Sequence, residues 1–159
     1  MSTKYTERGA ASSVTITDLN SLPDDDIAIA DSAIDNSTEA NRSLYADFTI
    51  NLAAQGSARS SDATVSLILL PSVNSVFPDA SGSTSSGTVS LASNYIAKID
   101  GVDATFDLDA TTTARVINAS GVKLDNAPFK PAILNQTGQA FGASGNTVYI
   151  TGFYTLDDV

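Results

Sequence analysis

The chain has 159 residues, enough for one domain that buries roughly 70% of the surface its unfolded form exposes. Its formal charge of −10 comes from 18 acidic against 8 basic residues, and those basic residues are scattered from Lys4 to Lys130; such a surface repels phosphate backbones and excludes nucleic acid as a partner. With no cysteine and no histidine, disulfides, thiolate or histidine zinc sites, and Ser-His-Asp or Cys-His catalysis are excluded as well.

Residues 1–12 form a polar arm, either a disordered tail or a segment that orders on a neighbouring subunit. It has no apolar run of signal-peptide length, and no later segment approaches the roughly 18 apolar residues of a membrane span. The expectation is a soluble protein made in a cytoplasm, with no membrane partner. A strand follows at Ser13 to Asp18, where Val14 and Ile16 alternate with threonines. Asn20 to Asp26 (NSLPDDD) is a turn, because Pro23 lacks a donor and three aspartates do not pack. Ile27 to Ile34 reads as a strand that loses register near Asp31.

After a polar loop at Asn36 to Arg42 comes the longest patterned stretch, Leu44 to Pro78. Leu44, Ala46, Phe48, Ile50 and Leu52 alternate with polar residues, and Val65, Leu67 and Leu69 repeat the period. The two runs are expected to form a hairpin closed by a polar turn at Gln55 to Asp62. The connection Asn74 to Ser90 is long and rich in Ser and Gly. Tyr95 to Ile99 and Ala104 to Leu108 are predicted to pair around Asp100 to Asp103, and Val116 and Val122 to flank a turn at Ser120 and Gly121. Pro128 and Pro131 predict a sheet edge or bulge for Pro128 to Asn135. The last strand is Thr147 to Tyr154, with Val148 and Ile150 on one side, Tyr149 on the other, and a bulge at Gly152.

Eight or nine short strands without an amphipathic helix predict an all-β fold. The expected form is a single antiparallel two-sheet sandwich spanning residues 13–159, jelly-roll-like in topology.

The chemistry-bearing patterns are few. Asp107 and Asp109 are spaced to share a strand face, as paired carboxylates for acid-base work would be, but a solvated strand face gives the same spacing. Asp24 to Asp26, or Asp100 with Asp103, supply oxygens for calcium without the spacing of an EF-hand loop. Gly142 to Gly145 (GASG) reads as a turn, not a nucleophile elbow. The Asn-x-Ser/Thr sequences at Asn36, Asn41, Asn118 and Asn135 are chance in a chain this rich in Ser and Thr. No catalytic residue, metal site or cofactor is expected, so the chain reads as a non-enzyme.

Interaction remains. Ile68 and Leu70 make the second strand of the central stretch apolar on both faces, and such a strand needs cover on both. With Tyr45, Phe77 and Tyr149 they are candidate interface residues of a homo-oligomer, the alternative being a second layer inside the same domain. A carbohydrate-binding module using Tyr5, Tyr95, Tyr149 or Tyr154 as stacking platforms is the competing reading.

The segments YADFTINLAA (Tyr45 to Ala54), VSLILLPSVNSVFPD (Val65 to Asp79) and AILNQTGQAFGASGNTVYI (Ala132 to Ile150) resemble small structural proteins of tailed-bacteriophage virions. Leu19 to Thr38 looks like the opening of the same proteins, although Asp24 to Asp26 departs from their small polar residues. The resemblance implies a head-decoration, or cement, protein on the capsid exterior. It would be a jelly-roll-like domain, often trimeric, that clamps neighbouring subunits of the major capsid protein.

Overall fold

The computed structural model describes residues 4–38, 42–72, 87–90 and 103–157. Ten strands are β1 (Lys4–Arg8), β2 (Ser12–Val14), β3 (Asp26–Ile29), β4 (Tyr45–Leu52), β5 (Thr64–Pro71), β6 (Gly87–Ser90), β7 (Ala104–Asp107), β8 (Arg115–Lys123), β9 (Phe129–Gln136) and β10 (Thr147–Asp157). The expected strand after Ser13 is cut short at Val14 by a single 3₁₀ turn, Thr17–Leu19. There the Asp31 carboxylate accepts both the Thr17 amide (3.1 Å) and its hydroxyl (2.6 Å).

The strands form two five-stranded sheets. Sheet I has the order β1-β10-β4-β8, with β2 also on β10; sheet II has the order β6-β3-β9-β5-β7. Every pairing is antiparallel. Without β1 and β6, sheet I carries β2, β10, β4 and β8, and sheet II carries β3, β9, β5 and β7. Each connection between successive strands of this set crosses to the other sheet, except that from β5 to β7. This is the eight-stranded jelly roll, and the expected all-β sandwich is observed.

The core lies between the sheets. Sheet I contributes Ala46, Phe48, Ile50, Leu52, Val148 and Ile150, and sheet II contributes Ala28, Val65, Leu67 and Ile133, all buried. On β4 the burial alternates strictly from Ala46 to Leu52, as its period-two sequence requires.

Several local expectations are corrected. β4 and β5 are not a hairpin: β4 pairs with β10 and β8, and β5 with β9 and β7. Alternation fixes which face of a strand is buried and leaves its neighbour open, because both strands satisfy their apolar faces equally well across the core. Ser120 and Gly121 are not a turn. β8 runs through them, with its register against β4 shifting between Ala46 and Phe48. Gly121 has φ +69° there and donates to the Asp47 carboxylate at 2.9 Å, so the left-handed glycine serves a β-bulge.

β9 is a central strand, not an edge, although it contains Pro131. The Pro131 carbonyl accepts from Ala30 at 2.9 Å, immediately past the end of β3. A strand residue turns its N–H and C=O to the same side, so the missing donor falls where the β3 ladder has stopped. No bulge occurs at Gly152, which stays in register with Ala46; a Cβ at this position would collide with the Ser43 hydroxyl.

The expected arm at residues 1–12 does not stand off from the sandwich over the part described. β1 pairs with Phe153–Asp157 and β2 with Val148–Ile150, so both lie along one edge of β10. The predicted strand Tyr95 to Ile99 lies outside the described residues.

Candidate functional site

Sheet II is apolar on both faces. Ile68 and Leu70 are 0% and 1% exposed and pack with Ile27, Ile29, Ala132 and Leu134 in a second cluster opposite the main core. Of the two expectations for these residues, an interface or cover within the same domain, their burial within the single chain supports the second. Phe77 lies outside the described residues.

Tyr45 and Tyr149 are 37% and 38% exposed. Both sit on the outer face of sheet I, because they alternate with the inward Ala46, Phe48, Val148 and Ile150. Among the described residues the exposed large apolar side chains are Leu44, Tyr45, Val116 and Tyr149; the last three belong to strands of sheet I and Leu44 immediately precedes β4.

The register sets out this face in rows. Tyr149 of β10 lies opposite Thr49 of β4, which lies opposite Asn118 of β8; the adjacent row is Thr147, Asn51 and Val116. Side chains tie neighbouring strands together within each row. The Thr49 hydroxyl donates to Asn118 Oδ1 at 2.8 Å, and Asn51 Nδ2 donates to Thr147 Oγ1 at 2.8 Å. Ser13 of β2 lies opposite Tyr149 on its other side. Neither row contains an ionisable Asp, Glu, Lys or Arg. Asp47 and Lys123 mark the rows toward the start of β4.

The paired carboxylates do not form an acid-base couple. Asp107 and Asp109 line an open depression of about 500 Å³ beside β8. Asp109 accepts from Arg115 Nε at 2.9 Å and from Arg115 Nη2, and lies 3.9 Å from Arg59 Nη1. The Arg115 hydrogen bonds hold its carboxyl below the usual carboxylate range, so it stays ionised and is no proton donor at neutral pH. Burial, followed by the neighbouring Arg115, lowers the Arg59 guanidinium, against the opposing pull of Asp109.

The turn aspartates are occupied by the backbone. Asp24 accepts the Gly138 amide at 2.7 Å, and Asp103 accepts the Leu69 amide at 2.6 Å while burial pushes its carboxyl up. No group of three potential metal ligands occurs among the described residues. GASG is a turn, as expected: the Gly142 carbonyl accepts the Ser21 amide at 3.1 Å and Asn146 Nδ2 at 2.6 Å.

Buried polar side chains are what sequence reasoning missed. Asn36, Gln55, Arg59, Asn135, Thr137 and Asn146 are all buried, each stitching loops together. Two of the four Asn-x-Ser/Thr asparagines, Asn36 and Asn135, are thus structural, and Asn118 is exposed. Their one signal was position, between a turn and a strand rich in apolar residues, which does not separate a staple from a solvated loop.

No family model and no curated protein matches the chain. Among solved structures it is similar to a carbohydrate-binding module, TmCBM61 in complex with β-1,4-galactotriose, at 9% identity and a TM-score of 0.30, covering 98% of this chain and 88% of that one. No helix among the described residues is long and apolar enough to cross a membrane.

Proposed function

We propose that the protein is a non-enzymatic structural component of a tailed-bacteriophage virion, a head-decoration protein on the capsid exterior. It contacts the major capsid protein and joins neighbouring subunits as a homo-oligomer, a trimer suiting threefold positions. The resembling segments support this reading, and they coincide with β4, β5 and the run from β9 to β10.

The observation that carries the proposal is the terminal ribbon. β10 pairs with β4 only as far as Phe153, yet continues with β1 to Asp157. Residues 154–157 therefore extend the ribbon roughly 13 Å beyond β4, with no partner on their second edge among the described residues. A two-stranded ribbon is marginal by itself, and an open backbone edge accepts an extended strand from another protein. Many copies attached in this way add modest contacts into shell stability.

Imaging the particle tests the proposal. Density at threefold or quasi-threefold positions of the head, with a capsid strand added to the ribbon, is the expected result. A location at the tail tip in a few copies would overturn it in favour of an adhesion module.

A further inference from the structure

The outer face of sheet I is electrically neutral over its two central rows, on a protein that carries a net charge of −10. A charged partner would find little there to pair with, and a large apolar partner would have to desolvate a ladder of hydroxyls and amides. What these two rows offer instead is one exposed aromatic ring, Tyr149, and the apolar Val116, beside polar groups held in fixed orientations.

The mutual hydrogen bonds set those orientations and leave specific groups unused. Because Asn118 Oδ1 accepts from Thr49, its Nδ2 keeps its donors, and no protein partner takes them among the described residues. Because Asn51 Nδ2 donates to Thr147 Oγ1, Asn51 Oδ1 remains an acceptor and the Thr147 hydroxyl proton a donor. Donors and acceptors fixed in advance on a stiff sheet lose little entropy on binding. From Tyr149 across Thr49 to Asn118 spans two strand spacings, about 10 Å, roughly the length of a disaccharide.

We infer that this face binds a neutral oligosaccharide. One pyranose ring stacks its C–H face on Tyr149, and the hydroxyls of the next engage Asn118 and the Asn51–Thr147 pair. The inference does not depend on where in a virion the protein sits, so it and the head location fail separately.

The full chain, labelled with ¹⁵N, is titrated with neutral oligosaccharides chosen from a glycan array, to millimolar concentration. Expected are amide shifts confined to residues 47–51, 116–118 and 147–151. Tyr149→Ala should weaken binding at least tenfold, Tyr149→Phe less than threefold, and Asn118→Ala by an intermediate factor. Tyr149 is over one-third exposed, so the variants should keep the wild-type melting profile, checked by circular dichroism.

Three results would each overturn the inference: no array hit among neutral glycans, binding that survives Tyr149→Ala, or shifts that map elsewhere. A change of oligomeric state in Tyr149→Ala by light scattering would also overturn it, by assigning the face to a second copy of the chain.

Discussion

Asn135 Nδ2 donates to the Leu22 carbonyl at 2.9 Å across 113 residues of sequence, tying the end of β9 to the turn before β3. The same amide reaches the Pro23 and Gln139 carbonyls, and Asn135 Oδ1 accepts both the amide and the hydroxyl of Thr137. The bonds to Leu22 and Thr137 are buried, where an unmet polar group costs about 1–3 kcal/mol. Asn135→Ala should therefore lower stability by about 3 kcal/mol, read by urea denaturation. A loss within the error of wild type would show that the loop closes without it.

Ile68 and Leu70 are core residues. Ile68→Ala and Leu70→Ala should each cost about 2–5 kcal/mol and leave oligomeric mass unchanged in light scattering on folded protein. Dissociation of an oligomer without loss of protomer stability would return these residues to an interface.

Gly121 holds the bulge at φ +69°. Nothing lies within 4 Å of a Cβ built there, so backbone conformation alone sets the cost of substitution. Gly121→Ala should destabilise by about 1–2 kcal/mol, and Gly121→Asn by less, because asparagine tolerates this region. Equal losses for the two would point to packing instead.

Asp109 gives a pH dependence of known sign. Its carboxyl is held low in the folded protein, first by the Arg115 hydrogen bond. Its contribution is thus present above the ordinary aspartate pKa of about 4 and is lost as pH falls through the lower folded value. Melting temperatures of wild type and Asp109→Asn should differ at pH 7 and converge toward pH 2. A difference that persists at pH 2 would remove ionisation as its cause.

Deleting residues 1–8 removes β1 and keeps β2 on β10. The truncated protein should unfold in a single calorimetric transition below the wild-type temperature, since only an edge strand is lost. Its occupancy on purified capsids should fall at least tenfold; unchanged occupancy would sink strand addition at the ribbon.

Much of the fold is legible in the residues. Alternation from Ala46 to Leu52 places Phe48 and Ile50 inward and Thr49 and Asn51 outward, as found, whereas Leu44, expected on the same inward face, is exposed just before β4. The two-faced apolar run of β5 signals a strand that needs cover on both sides. The polar face is half legible. Tyr149 stands out from Val148 and Ile150, but its neighbours Thr49 and Asn118 come from strands 100 and 31 residues away. Asp107 with Asp109 shows the opposite case, a suggestive spacing neutralised by an arginine six residues further on.

By itself the sequence determined most strands of the sandwich, the inward face of the most regular ones, and the absence of histidine and cysteine chemistry, because period and composition are local properties of the chain. β1 and β6 formed in stretches that read as an arm and a loop. The tertiary structure decided which strands are neighbours. β4 and β5 parted into different sheets, Pro131 entered a central strand where β3 ends, and Tyr149, Thr49 and Asn118 became one row. Pairing is chosen by the closure of two sheets over a shared core, and no stretch of sequence short enough to read as a pattern contains that information.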